Sequence, residues 1–473
     1  MSVDIEYKKK ELQKLIAGNN ERELCFLMLY WVYEKDAYSN LVIKKADKIA
    51  ASEGKKIDFA RAMLYGTLTY TFTIDFLIRH VTKEEVEQMD PVARTAVRMA
   101  VWQIQFGNNI PSYAAVDSAV EITKKYNHKA SGYVNAVLRK FADAPKEKRD
   151  LEQFKPGIRV ALKPEIYGIF KKDFGKQEAF EIGKALLEPA HITVRFDAHK
   201  VDQKTLIAEL TKEGITAIPG SFIPDCVEIT GGLNGLENTE AFNKYGMFVQ
   251  GQGAMLASYV AHPRVADKIL DCCSAPGGKS THMAQMCRDD LSIVAVDINE
   301  SRLQLVRDNC ERLGLTSIET VCADASKINK DDKDSKKSYD IVLCDVPCSG
   351  LGLLGRKPDI REKFTYDELD ELLPLQYSIL DHASKMVRPG GTLIYCTCTL
   401  NSDENENQVK LFLSEHKRFH TVPIDKYLPK GIYMDEKRQD NAANGMITLL
   451  PHKDKCEGFF ICRMERDRKE EES

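Results

Sequence analysis

Lys268-Ile269-Leu270-Asp271-Cys272-Cys273-Ser274-Ala275-Pro276-Gly277-Gly278-Lys279 decides the fold. An apolar run ends in an acid, passes a Pro-Gly-Gly turn and opens onto a helical pattern. Glycines there let backbone approach a ligand, and the helix N-terminus offers free N–H donors and positive potential. Further apolar runs follow at Ser292–Asp297, Ile318–Cys322, Tyr339–Asp345 and Thr392–Thr397. Their apolarity is continuous rather than alternating, the pattern of parallel strands buried on both faces. Residues 263–466 are therefore expected to form an α/β, Rossmann-like domain, followed by a charged tail over 467–473. The charged run Lys330–Lys337 reads as a solvated loop, and a helix is expected over Asp367–Met386, with Pro389-Gly390-Gly391 turning it into the last strand.

The texture changes upstream. Residues 1–145 read as all-helical: Leu24–Val32 is apolar enough for a buried helix, Asp90-Pro91 and Pro111-Ser112 each open a helix, and Tyr133, Val134, Val137 and Leu138 mark a last one. Residues 146–189 are polar and helical, as in a linker. A small α+β module is expected over 190–262, with strands at Ile192–Phe196 and Cys226–Ile229 around a helix at Gln203–Glu213.

Composition bounds the class. The chain has 473 residues, 43% hydrophobic and 29% charged, as in a multidomain globular protein. No apolar run approaches a membrane span, and the start of the chain lacks a signal-peptide core, so a cytoplasmic protein with no membrane partner is expected. Thirteen cysteines without any C-x-x-C pair argue against a disulfide framework and against zinc, and no metal is expected. The net charge of −4 and pI near 6.3 do not announce a nucleic-acid binder.

Asp297 ends the second strand, Asp324 follows the third and Asp345 ends the fourth. Each alone would read as a helix cap or turn residue. At successive strand ends they instead suit a ligand crevice, with Asp297 placed for ribose hydroxyls and Asp324 for an adenine amine. The missing G-x-G-x-x-G argues against a nicotinamide cofactor.

Two cysteines carry the sharpest chemistry, Cys348 in Asp345-Val346-Pro347-Cys348-Ser349-Gly350 and Cys398 in Tyr395-Cys396-Thr397-Cys398-Thr399. Each lies just past a strand's carboxyl end, and neighbouring strands would face both to one crevice. Carbon 5 of cytosine is a poor nucleophile until a thiolate adds to carbon 6. One cysteine suits that attack and the other the release, with Asp345 on the base's Watson–Crick edge. Cys25, Cys226, Cys287, Cys310, Cys322, Cys344, Cys456 and Cys462 read as small buried hydrophobes, Cys396 as structural, and Cys272 and Cys273 as parts of the turn.

At these residues the sequence resembles the RsmB/Sun family of 16S ribosomal RNA cytosine-C5 methyltransferases. The likeness rests on Cys273–Lys279, Asp340–Gly350, Arg356-Lys357-Pro358-Asp359-Ile360 and Tyr395–Thr399 with the acidic Asp403-Glu404-Asn405-Glu406. It implies S-adenosyl-L-methionine as cofactor, bound by Cys273, Ser274, Ala275, Pro276, Gly277, Gly278, Lys279, Asp297, Asp324 and Asp345. It implies Cys398 as nucleophile, Cys348 as the release cysteine and small-subunit ribosomal RNA as partner. Residues 1–145 resemble a NusB-like RNA-binding domain, through Pro111–Val116 and Gly132–Arg139, and 190–262 a small RNA-recognition-like module. A monomer is expected. The chain departs from the family at Phe196 and Asp197, where relatives read Val and Asn, and at Lys357, where they read His. The alternatives are the same chemistry on transfer RNA, for which the NusB-like region discriminates, and a non-enzymatic RNA-binding assembly factor, which would need neither thiol.

Overall fold

A computed structural model describes residues 9–188, 192–327 and 338–468. The charged run 330–337 and the tail beyond Arg468 lie outside the described residues. One compact unit takes the residues up to Glu188 together with Leu354–Phe364. The other takes those up to Leu353 and from Thr365 onward.

The first unit is helical. Its centre is the helix Glu21–Glu34, in which every residue from Glu23 to Val32 is buried, so neighbouring helices cover it on all sides. Pro91–Gln105, Ser112–Tyr126 and Ser131–Ala142 stand where the sequence placed them. Asp90 caps the first of these by accepting from the Val92 and Ala93 amides, and Pro91 at the first turn forfeits no bond. The long helix Asp58–Thr82 has no sharp opening signal and was not anticipated.

Residues 146–188, expected as a linker, belong to this unit. Ile166, Ile169, Phe170, Ala179 and Ile182 of Pro164–Ala185 are buried, and Gly175, at φ 83° and ψ 170°, breaks that helix into two arms. A left-handed φ of that kind suits glycine. The segment 354–364, expected within the α/β domain, also packs here. Arg361 is fully buried and donates to the carbonyls of Val160, Ala161 and Leu186 at 3.4, 2.9 and 2.8 Å.

The second unit holds two sheets. Strands β1 (Ile192–Arg195), β2 (Thr216–Pro219), β3 (Cys226–Gly231) and β4 (Phe248–Val249) form an antiparallel sheet ordered β2-β3-β1-β4. Two of these strands were anticipated. β2 and β4 are too short and too exposed to show an apolar run.

Strands β5 (Lys268–Asp271), β6 (Ser292–Asp297), β7 (Ile318–Cys322), β8 (Tyr339–Asp345) and β9 (Val387–Thr397) are parallel, in the order β9-β8-β5-β6-β7. The chain runs outward from β5 to β7 and then returns to the other side of β5. The switch point therefore lies between β5 and β8, where open α/β sheets bind ligands beyond their carboxyl ends. The sheet does not end at β9. β10 (Phe419–Thr421), β11 (Met446–Leu449) and β12 (Phe459–Arg466) extend it, with β12 antiparallel to β9. Pro389-Gly390-Gly391 lies inside β9, where the register with β8 shifts between Tyr339↔Val387 and Ile341↔Thr392, rather than ahead of the strand.

Arg361 supports a direct test. Replacing it with Leu strips three buried carbonyls of their donor, and an unsatisfied buried group costs about 1–3 kcal/mol. Arg361→Leu is expected to lower unfolding stability by about 2–4 kcal/mol in a denaturant titration. An unchanged midpoint would remove Arg361 as the anchor of the 354–364 segment.

Candidate active site

β5 ends at Asp271, and the chain then makes the turn 272–277 into the helix Gly278–Met286. Ser280 Oγ donates to Asp271 Oδ2 at 2.6 Å, tying the helix to the strand that precedes it. Burial pushes the Asp271 carboxyl up to about 6, against the opposing pull of the Ser280 bond and the Lys279 charge. The Cys272 amide donates to Leu343 O on β8 at 2.9 Å, and the Ser274 amide to Val296 O on β6 at 2.8 Å, so the turn straddles the switch point. Gly277 has φ 95°, and a Cβ there would sit 3.1 Å from Val306 Cγ1. The left-handed φ favours glycine, and an added Cβ would be tight against the Val306 methyl.

Asp297, at the end of β6, is buried. Its Oδ2 accepts from the Ala275 amide at 3.3 Å and its Oδ1 from the Asn299 amide at 3.0 Å, with Arg302 3.5 Å away. A carboxylate offers about four acceptor sites, so it keeps capacity for a ligand hydroxyl. Asp324 is held by Lys327 at 2.8 Å and by the Ser326 hydroxyl and amide at 2.6 and 3.0 Å; the lysine and serine bonds bring its carboxyl down to about 2. The Ser274 hydroxyl is buried in the turn with no hydrogen-bond partner among the described residues. An orphaned hydroxyl beside a glycine cradle fits a ligand that brings polar groups into the turn.

Lys279 does not point at a free crevice. Its ammonium is nearly buried and lies 2.5 Å from Asp345 Oδ2 at the end of β8. Burial alone would lower its pKa, but the Asp345 carboxylate outweighs burial and holds it above the ordinary lysine value. Among the described residues the other oxygen of Asp345 receives only the weak Cys396 thiol at 3.5 Å.

β8 and β9 are parallel neighbours with Asp345 opposite Cys396. The loops leaving them bring Cys348 and Cys398 together, with sulfurs 3.0 Å apart. That is a thiol contact, longer than the roughly 2.05 Å of a disulfide. The contact with Cys398 and then burial raise the Cys348 pKa well above its ordinary value. Both cysteines are half-buried. Of the cysteines read as buried hydrophobes, Cys322 is exposed and Cys456 is half-buried; the rest are buried.

Two groups without assigned roles in the sequence hold the site together. Glu404 is fully buried between the cysteine loops. It accepts from the Ser349 amide at 2.8 Å, the Ser349 hydroxyl at 2.5 Å, Asn401 Nδ2 at 3.1 Å and Gln376 Nε2 at 3.0 Å. Gln376, on the crossover helix Tyr366–Met386, also donates to Pro347 O at 3.0 Å. Arg195, on β1, is fully buried and donates to Gln250 Oε1 at 2.6 Å, to Thr281 Oγ1 at 2.5 Å, to Gln285 and to Gly278 O at 3.4 Å. The small sheet thus grips the helix that follows the glycine turn. Burial lowers the Arg195 pKa to about 9, which leaves it charged at neutral pH. Neither residue shows as functional from its type, because a charged run such as 403–406 reads as surface until burial is known.

Among the described residues no cluster of three or more His, Cys, Asp or Glu could hold a metal, and no helix is long and apolar enough to cross a membrane.

Three family models match successive stretches. They are the NusB family over 19–143, the RsmF/B-like ferredoxin-like domain over 167–234, and 16S rRNA methyltransferase RsmB/F over 258–465. The chain is 29% identical over 451 residues to a probable ribosomal RNA small subunit methyltransferase B of Bacillus subtilis, covering 94% of this chain and 98% of that one. To ribosomal RNA small subunit methyltransferase B of Vibrio cholerae it is 30% identical over 375 residues, covering 77% of this chain and 83% of that one. A tRNA (cytosine(72)-C(5))-methyltransferase of Pyrococcus horikoshii is 26% identical over 395 residues, covering 65% of this chain and 97% of that one. The crystal structure of PH0851 superposes with a TM-score of 0.77 at 24% identity, covering 98% of this chain and all of that one, a likeness of fold. With a helical NusB domain, a ferredoxin-like module and a Rossmann-like catalytic domain in that order, the chain belongs to the RsmB/F family of 16S rRNA methyltransferases.

Proposed function

We propose that this enzyme methylates carbon 5 of one cytosine in small-subunit ribosomal RNA, with S-adenosyl-L-methionine as donor. The observation that carries the reading is the pair Cys348 and Cys398, 3.0 Å apart at the ends of adjacent parallel strands. Binding a nucleic acid needs no such pair; adding to a pyrimidine ring and leaving it again does.

The residues divide the work. S-adenosyl-L-methionine supplies an electrophilic methyl group on a sulfonium. The 273–279 turn, Asp297 and Asp324 are the groups to hold it, with the Ser274 hydroxyl as an unspent partner. Asp345 has one oxygen fixed by Lys279 and the other nearly unengaged, so it is oriented to accept from the exocyclic amine of a cytosine. Such contact requires an unpaired or extruded base. The Cys398 thiolate adds to carbon 6 and makes carbon 5 nucleophilic. After methyl transfer the carbon-5 proton passes to solvent water, the electrons of that C–H bond restore the ring double bond, and the Cys398–carbon bond breaks to return Cys398 as a thiolate. The contact with Cys398 and burial raise the Cys348 pKa and so favour its neutral thiol. It assists the release. Glu404 positions both thiols by binding Ser349, next to Cys348, and Asn401, three residues past Cys398.

A second reading, the same chemistry on transfer RNA, is favoured by the Pyrococcus horikoshii relative. Methyl transfer is therefore to be measured with both unmethylated small-subunit ribosomal RNA and transfer RNA. Wild type is expected to modify the ribosomal RNA. Modification of transfer RNA alone would establish the second reading, and transfer to neither would leave an RNA-binding assembly factor.

Cys348→Ala is expected to accumulate a covalent protein–RNA adduct on a denaturing gel, and Cys398→Ala to form neither adduct nor 5-methylcytosine. Wild-type turnover by Cys398→Ala would refute the covalent route. Glu404→Gln turns a carboxylate oxygen into a donor facing donors. Displacing reacting groups by about 1 Å can cost roughly a hundredfold in rate, and a kcat loss of about that size is expected while cofactor affinity stays within about twofold. A loss confined to thermal stability, with kcat intact, would reduce Glu404 to a structural residue.

A further inference from the structure

The kink at Gly175 opens a groove of about 790 Å³ in the helical unit, between the two arms of Pro164–Ala185 and the segment 155–162. Clefts that hold small organic ligands span about 300–1,000 Å³, so the groove has room for nucleotide-sized groups. Three half-buried rings line it: Phe72, Tyr167 and Phe180. Gly168 lies on the same wall, where an added Cβ would meet nothing within 4 Å. The charges around the rings are unequal. Arg159 is committed to Glu152 and sits 4.8 Å over the Phe180 ring, and Glu181 pairs with Lys184 at 3.2 Å. Lys155, Lys171 and Lys176 are exposed and make no ion pair among the described residues.

We infer that this groove binds a single-stranded segment of the RNA substrate, with bases stacked on the Phe72 and Tyr167 rings, Phe180 being covered by Arg159 and Lys184, and phosphates on the three lysines. Unspent cations beside aromatic faces are the two elements of sequence-tolerant single-strand binding. An acidic peptide would meet the lysines but would have no use for the rings, and a duplex would hide its bases from them. The groove lies within the helical unit and its residues are none of those assigned to methyl transfer. The chain's net charge of −4 conceals the patch, because the excess of acids lies elsewhere. The inference rests on RNA being the substrate.

The test uses the full chain, a fluorescently labelled oligouridylate and anisotropy at several salt concentrations. Combined Lys155→Glu, Lys171→Glu and Lys176→Glu substitutions are expected to weaken binding at least about tenfold and to flatten the salt dependence by about two units, as three lost phosphate contacts predict. Tyr167→Leu keeps most of the apolar volume but loses the ring. It is expected to weaken binding about fivefold or more with the salt dependence unchanged. Cofactor binding and kcat at saturating ribosomal RNA should stay at wild-type values while KM rises. Affinity within about twofold of wild type in both variants would overturn the groove. Loss in the lysine variant alone, matched by equal loss of binding to inorganic polyphosphate, would overturn the stacking. Should wild type methylate no RNA while these variants still lose oligouridylate binding, the groove stands and the catalytic reading falls.

Discussion

Asp345 faces Cys396 across the parallel pair β8–β9, and the chemistry of the second unit depends on that register. Counting outward, Cys348 lies three residues past one partner and Cys398 two past the other, which is what lets their sulfurs meet at 3.0 Å. A slip of one residue would turn each strand's side chains to the opposite face. Such a slip would break the fully buried core formed by Val342, Leu343, Leu393 and Ile394 on both faces of the sheet. With both faces apolar, it is the fit of these particular side chains in the packed core that holds the register, and the register places the thiols.

The polar groups around the thiols are arranged by a different logic. A carboxylate as deep as Glu404 costs several kcal/mol unless its oxygens are occupied, and here both are, by donors from three separate segments. Removing any one segment would leave the others with an unmet charge, which makes the cluster specific as well as satisfied. At the turn the balance differs. Ser274 Oγ and Asp271 Oδ1 are buried without hydrogen-bond partners among the described residues. Both oxygens of Glu404 are met on the thiol side, where Gln376 Oε1 stays unmet among the described residues, and the turn side carries unmet hydrogen-bonding capacity where a ligand would enter.

Much of this was legible in the sequence. Continuous apolar runs marked β5 to β9, and the residues that end them marked the site, because burial on two faces leaves a plain signature. The elements missed are those whose signature is weak. β10 is only three residues long, β11 and β12 each follow a short helix, and the short β2 and β4 are partly exposed. Asp58–Thr82 begins without a side-chain cap. Residues 146–188 looked like a linker because polar residues outnumber the few apolar ones that dock them, and apolar spacing does not say what it packs against. At the site, Lys279 was read as a cofactor contact, yet its ammonium is paired with Asp345. Arg195 escaped because its partners lie far away in sequence, and Glu404 because, Thr399 and Asn401 apart, only the fold brings its partners near.

The visit of Leu354–Phe364 to the helical unit has an evolutionary corollary. A module joined to its neighbour by one peptide can be gained or lost in a single recombination event. Here the chain passes between the units three times, after Glu188, after Leu353 and after Phe364, and Arg361 seals the short segment to carbonyls at Val160, Ala161 and Leu186. Loss of the helical module by one deletion would strand a guanidinium with no acceptors, a few residues past the loop that carries Cys348. The helical module and the catalytic loop are thereby inherited together, each a condition on the sequence the other can accept.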